Sequence, residues 1–106
     1  MTKITYKRYP RAKLAIDGHC NAPRTNGYDL CCAAVSMLAC TFMQRMEDMP
    51  LKDKFVYCEE GYVHGEFSAR GKKGRAGLEM LDTLLTGFRL LKDEYPDCIM
   101  ITGGKK

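Results

Sequence analysis

The sequence predicts an α+β domain: an antiparallel or mixed β-sheet with two packed α-helices, in the order ββαββαβ. Three observations predict it. Short segments alternate apolar and polar residues, two longer segments carry apolar residues at three- and four-residue steps, and glycine or proline stands at most junctions between them. At 106 residues the chain is long enough for one domain with a single core, residues 1–106, held without metal or disulfide staples. A hydrophobic fraction of 45% and a charged fraction of 28% are those of an ordinary globular protein. Charges or glycines interrupt every apolar run before it reaches the roughly 20 residues of a membrane span.

Residues 2–8 set Ile4 and Tyr6 against Lys3, Thr5 and Lys7, the pattern of a half-buried strand. Tyr9-Pro10-Arg11 is a turn, because proline has no N–H to give a ladder. Leu14 and Ile16 alternate with Lys13, Ala15 and Asp17 and predict a second strand, paired with the first as a hairpin. Gly18 ends it. Residues 20–28 form a polar loop of turn formers, with Gly27 as its hinge. Asp29 is placed to cap a helix over residues 30–46, with Ala34, Leu38, Thr41 or Phe42, and Met46 as its stripe, widened by Cys31 and Val35. Pro50 closes that segment.

Phe55–Cys58 and Tyr62–Phe67 flank Glu59-Glu60-Gly61 and predict a second hairpin. His64 reads as a strand surface residue. Gly71-Lys72-Lys73-Gly74 is expected to be a flexible connection. Leu78, Leu81, Leu85, Phe88 and Leu91 then mark a second helix from Arg75 to about Tyr95, stopped by Pro96. Cys98–Ile101 is apolar on both sides, the pattern expected of a strand central in its sheet.

Six cysteines with no secretory signal imply reduced thiols and a cytoplasmic location rather than a disulfide framework. There is no C-x-x-C pair, so no metal is expected. The net charge of +4 is modest, and basic spots at Arg70–Arg75 and at the Lys105-Lys106 tail read as solvated surface.

The candidate chemistry lies on either side of the 20–28 loop. His19 falls on the strand parity of Ala15 and Asp17, away from the core face, and stays accessible. With Asp29 as the cap, Cys31 and Cys32 sit in the first helical turn, where unpaired amides and the helix dipole favour a thiolate. Neighbouring helical positions point about 100° apart. Cys31 shares the apolar stripe, so Cys32 is the thiol that faces the loop, with Ser36 one turn beyond it. An imidazole and a thiol so placed are what a thiol protease needs. Asp29 would orient His19 or cap the helix, the cap being preferred. First-turn amides are candidates for an oxyanion site. Tyr28 lines the cleft or packs on the helix, and Met37, Met43, Met46 and Met49 suit core filling or a helix-mediated dimer contact.

Gly18-His19, a short glycine-containing loop, and Asp29-Leu30-x-Cys32-Ala33-Ala34-Val35-Ser36 resemble the ribosomal-processing cysteine proteases of the Prp family. The strand–strand–helix start and the length are also similar. The resemblance implies a His19/Cys32 dyad, a protein substrate in the N-terminal extension of ribosomal protein L27, a homodimer, and no cofactor. Cys20 stands where the family commonly has alanine and Cys31 where it has an aliphatic residue, and either thiol is a candidate to trap Cys32 on oxidation. Two other classes remain: a non-catalytic ribosome- or RNA-associated domain, favoured by the basic spots, and a redox-sensing thiol protein, favoured by the adjacent Cys31 and Cys32.

Overall fold

A computed structural model describes residues 1–104, so the Lys105-Lys106 tail lies outside the described residues. The elements are β1 (Thr2–Lys7), β2 (Arg11–Asp17), α1 (Leu30–Asp48), β3 (Phe55–Glu59), β4 (Tyr62–Ser68), α2 (Gly71–Glu94) and β5 (Ile99–Gly104). They build one mixed five-stranded sheet in the order β3-β4-β2-β1-β5. β1–β2, β2–β4 and β3–β4 pair antiparallel, and β1–β5 pairs parallel. This is the α+β architecture the alternation and the helical steps predict.

Two crossovers shape the layers. α1 links β2 to β3, which run parallel on either side of β4, and α2 links β4 to β5 across β2 and β1. The two connections travel in opposite directions from strands of opposite sense. Right-handed connections of that kind put both helices on the same face. Glycines on β4 and α2 let them close in. A Cβ on Gly65 of β4 would lie 2.5 Å from the Phe42 ring of α1, and one on Gly77 of α2 would lie 2.4 Å from the Phe67 ring of β4. Between the layers Ile4, Leu14, Phe42, Met46, Phe67, Leu81, Leu85, Phe88 and Ile99 are almost wholly buried.

Four expectations are corrected. β5 is an edge strand, not a central one, and Met100 is exposed on its outer side. Its apolar character comes from α2 packing on one side, which a two-sided pattern cannot distinguish from full enclosure. The buried stripe of α1 is Cys31, Val35, Ala39, Phe42 and Met46; Ala34 and Leu38 are only partly covered and Thr41 is exposed. α2 begins at Gly71, so the glycine-lysine segment is its first turn and not a flexible connection. Gly74 is what permits this, because a Cβ there would meet the Ala69 backbone at 2.2 Å. Tyr28 is 70% exposed rather than packed on the helix.

At its far end α1 is closed by Lys54, whose Nζ donates to the carbonyls of Met46, Glu47 and Met49, groups with no partner inside the helix. On the outer face of the sheet Glu66 accepts from His64 Nε2 at 2.6 Å and Arg11 Nε at 2.5 Å. Those two bonds, His64 first, pull its carboxyl from the ordinary 4.5 to about 2.

Two outcomes follow from this packing. Replacing a helical glycine by alanine ordinarily adds about 1 kcal/mol of helix propensity. Gly74→Ala is expected to lose about 1–3 kcal/mol in urea unfolding, because the neighbour it strikes is backbone that cannot turn aside; a gain would refute the close approach. The Glu66 pairing stabilises the fold above the ordinary carboxylate range and is lost as pH falls from about 4.5 towards about 2. Glu66→Gln should therefore flatten the acid-side decline in unfolding midpoint, and an unchanged decline would show the pairing contributes nothing.

Candidate active site

β2 ends at Asp17, and Gly18, with φ of +93°, turns the chain out of the strand. The Gly18 N–H donates to the Gly61 carbonyl at the tip of the β3–β4 hairpin, 2.8 Å away. Its own carbonyl accepts from Thr2 Oγ1. No side chain fits there, since a Cβ on Gly18 would lie 2.7 Å from the Met1 carbonyl oxygen. His19 follows immediately and is exposed, as the strand parity predicts. Its ring lies over Gly61, where an added Cβ would come within 3.3 Å of Nε2. The hairpin tip thus serves as a shelf for the imidazole.

The next residue turns inward. Cys20 is buried, with Sγ 3.3 Å from Thr2 Oγ1 and 3.0 Å from Cys31 Sγ. Across the loop, Cys31 is fully buried on the core stripe of α1 and Cys32 is only partly covered. Burial and the Cys20 contact push the Cys31 thiol well above its ordinary range, so it stays protonated. Of the adjacent pair, Cys32 is the sulfur turned to a cavity.

Asp29 holds the helix start. Its Oδ1 accepts from the Cys32 N–H at 2.8 Å and its Oδ2 from the Ala22 N–H at 3.1 Å. The carboxylate is the N-cap, and both oxygens are turned to backbone rather than to His19. The Ala33 N–H goes to the Asp29 carbonyl. The Cys32 and Ala33 amides are therefore committed within the cap, and of the first-turn amides expected to serve an oxyanion, Leu30 and Cys31 remain. Within the loop, Thr25 and Tyr28 exchange backbone hydrogen bonds around Asn26 and Gly27, with φ of +53° and +85°. This is a two-residue hairpin turn of the kind that needs left-handed backbone at both central positions.

His19, Cys32 and Ser36 line one cavity of about 160 Å³. Its floor is Ile16, Val35, Ala39 and Val63, and the β3–β4 hairpin closes it with Glu59, Gly61 and Tyr62. Among the described residues no hydrogen bond joins imidazole to thiol, and Ser36 bonds to no helix carbonyl. Catalytic hydrogen bonds commonly tighten only once substrate is bound. The hairpin wall escaped the sequence reading because a local pattern cannot say what a turn will pack against. Gly61 after two glutamates was the only trace of it. Groups of three or more metal-ligating side chains are absent among the described residues.

Residues 1–100 match the family described as cysteine protease Prp. The chain belongs to that family. It is a cysteine protease. Solved structures share its fold: the essential ribosomal processing protease Prp of S. aureus, in complex with a covalently linked product peptide, is 15% identical with a TM-score of 0.78, over 98% of this chain and 100% of that one. The same S. aureus protease with a substrate peptide is 14% identical with a TM-score of 0.74 over the same shares. SMU.848 from Streptococcus mutans is 21% identical with a TM-score of 0.73, over 100% of this chain and 96% of that one. No curated protein matches the sequence.

Asp29→Ala removes the acceptor of two backbone amides on opposite sides of the loop. Thermal unfolding should show a loss of about 1 kcal/mol, the usual worth of a cap, and limited proteolysis should cut faster between residues 22 and 29. Unchanged stability would mean the cap is idle.

Proposed function

We propose that this Prp-family protease is a ribosomal-processing endopeptidase that removes the short N-terminal extension of ribosomal protein L27, with Cys32 as nucleophile and His19 as general base and then general acid. The observation that carries the reading is the shared cavity, which is lined by one imidazole and one partly exposed thiol from opposite sides of a single loop. Family membership supports the protease chemistry, and the S. aureus relative is described as a ribosomal processing protease bound to its product peptide.

The steps follow from ordinary acyl transfer. Cys32 Sγ attacks the scissile carbonyl while His19 takes the thiol proton. His19 returns that proton to the departing amine, leaving a thioester on Cys32. Water, deprotonated by His19, then attacks the thioester and regenerates the thiol. The Leu30 and Cys31 amides at the start of α1 are the candidates to hold the developing oxyanion. Asp29 acts through backbone, by holding the turn that carries Cys32. Ser36 acts from the cavity wall, and Gly27 gives the loop a hinge over the site. No cofactor enters any step.

The helix layer suggests how two chains assemble in the cytoplasm. Met37 and Leu90 are 68% and 66% exposed and flank an apolar groove between α1 and α2, with Leu38, Gly87 and Leu91 at its base. An uncovered strip of this kind suits a second copy of the chain. No described helix is long and apolar enough to cross a membrane.

A peptide spanning the L27 extension junction should be cut by the reduced wild type and not by Cys32→Ala. Cys31→Ala should keep the bulk of the activity, and His19→Ala should lose about 10²–10⁴-fold in kcat/KM. No cleavage by folded, reduced wild type would overturn the substrate assignment. For the assembly, Met37→Glu with Leu90→Glu should convert a dimer into a folded monomer in sedimentation velocity; a dimer that survives both charges would place the interface elsewhere.

A further inference from the structure

The protease chemistry uses one sulfur, and the structure holds two others pressed together beside it. Cys20 and Cys31 are free thiols, 2% and 0% exposed, with their sulfurs 3.0 Å apart. That separation is inside the contact distance of two unbonded sulfurs and about 1 Å longer than the S–S bond of a disulfide. Each is the immediate neighbour of a residue lining the active-site cavity, Cys20 of His19 and Cys31 of Cys32. The polypeptide between them is the loop with the Thr25–Tyr28 turn and the Asp29 cap. Cys32, the obvious candidate to be trapped, faces the cavity, while its two neighbours face each other.

We propose that Cys20 and Cys31 are a redox-modification site, a dithiol that closes to an internal disulfide under a peroxide and staples the active-site loop at both ends. The Cys20 sulfur gives up its proton and attacks a peroxide oxygen, so that the O–O bond breaks, a sulfenic acid forms on Cys20, and the departing hydroxide leaves with that proton as water. The Cys31 sulfur then attacks that sulfenic sulfur, the S–O bond breaks, and the hydroxide leaves with the Cys31 proton as a second water. Two thiols and one hydrogen peroxide give one disulfide and two waters, and a thiol reductant reverses it. The bond closes a short loop, which restricts the unfolded chain more than the folded one. It holds the backbone beside His19 and Cys32 at its present separation and leaves the Cys32 sulfur free. The cross-link stands on the geometry of the two thiols, whatever substrate the protease takes.

The test marks thiols in two rounds. Folded, reduced protein is first treated with iodoacetamide, which takes the accessible Cys32, Cys40 and Cys58. Hydrogen peroxide is then added, the protein is unfolded, and remaining thiols are labelled with N-ethylmaleimide. Without peroxide the second label should fall on the three buried cysteines, Cys20, Cys31 and Cys98. With peroxide it should fall on Cys98 alone, and a tryptic digest should contain residues 14–24 joined to residues 25–45. Cys31→Val, which keeps an apolar side chain in the core, should leave Cys20 and Cys98 both labelled. Peroxide should also raise the Tm of the wild type and not of Cys31→Val. Retention of the second label on all three buried sulfurs, or a cross-link that takes in Cys98, overturns the proposal.

Discussion

The contact between Cys20 and Cys31 sets the geometry on which the rest of the site depends. It joins the exit of β2 to the first turn of α1, with Thr2 of β1 completing the buried cluster. Because neighbouring residues point in different directions in an extended chain and in a helix alike, burying these two sulfurs turns the residues beside them outward. His19 and Cys32 reach one cavity as a consequence. Asp29 does the same work through backbone, bonding Ala22 on one side of the loop and Cys32 on the other. The sulfur contact is buried, where such contacts are strongest, and the Asp29 bonds are partly so.

The wider fold supplies the remaining wall. Opposed crossovers leave both helices on one face, so α1 lies close to β4 and brings its first turn alongside the β3–β4 hairpin. Gly61 at the tip receives the imidazole, and Gly18 lets the N-terminal strand, the hairpin and the end of β2 meet without side chains between them. Glycine is needed at these positions because its neighbours are a backbone carbonyl or the His19 ring. The outer sheet face, by contrast, is held by the Arg11–Glu66–His64 cluster and leaves the cavity untouched.

Local chemistry was legible in the chain. Alternation in Lys3–Lys7 and Leu14–Asp17 gave the first hairpin, and an aspartate before an alanine-rich apolar run gave both the helix start and the distinction between Cys31 and Cys32. Long-range facts were less legible. Ile99 and Ile101 look alike whether a strand is central or at an edge that a helix covers. Lys72-Lys73 between glycines looks like a linker because the reason for Gly74, the Ala69 backbone, lies in the fold and not in the pattern. Cys20 and Cys31 could be singled out, but that their sulfurs meet required the loop to be closed.

The claim at the centre is that His19 makes Cys32 chemically unlike any other accessible thiol in the molecule, and Cys40 and Cys58 are exposed internal references for it. The direct measurement is the rate of carboxymethylation by limiting iodoacetate, followed site by site by mass spectrometry in wild type and His19→Ala. Cys32, though more covered than the other two, is expected to react fastest in the wild type and to fall behind them when the imidazole is removed. Reaction of Cys32 no faster than Cys40 and Cys58, or a rate indifferent to His19→Ala, would contradict it.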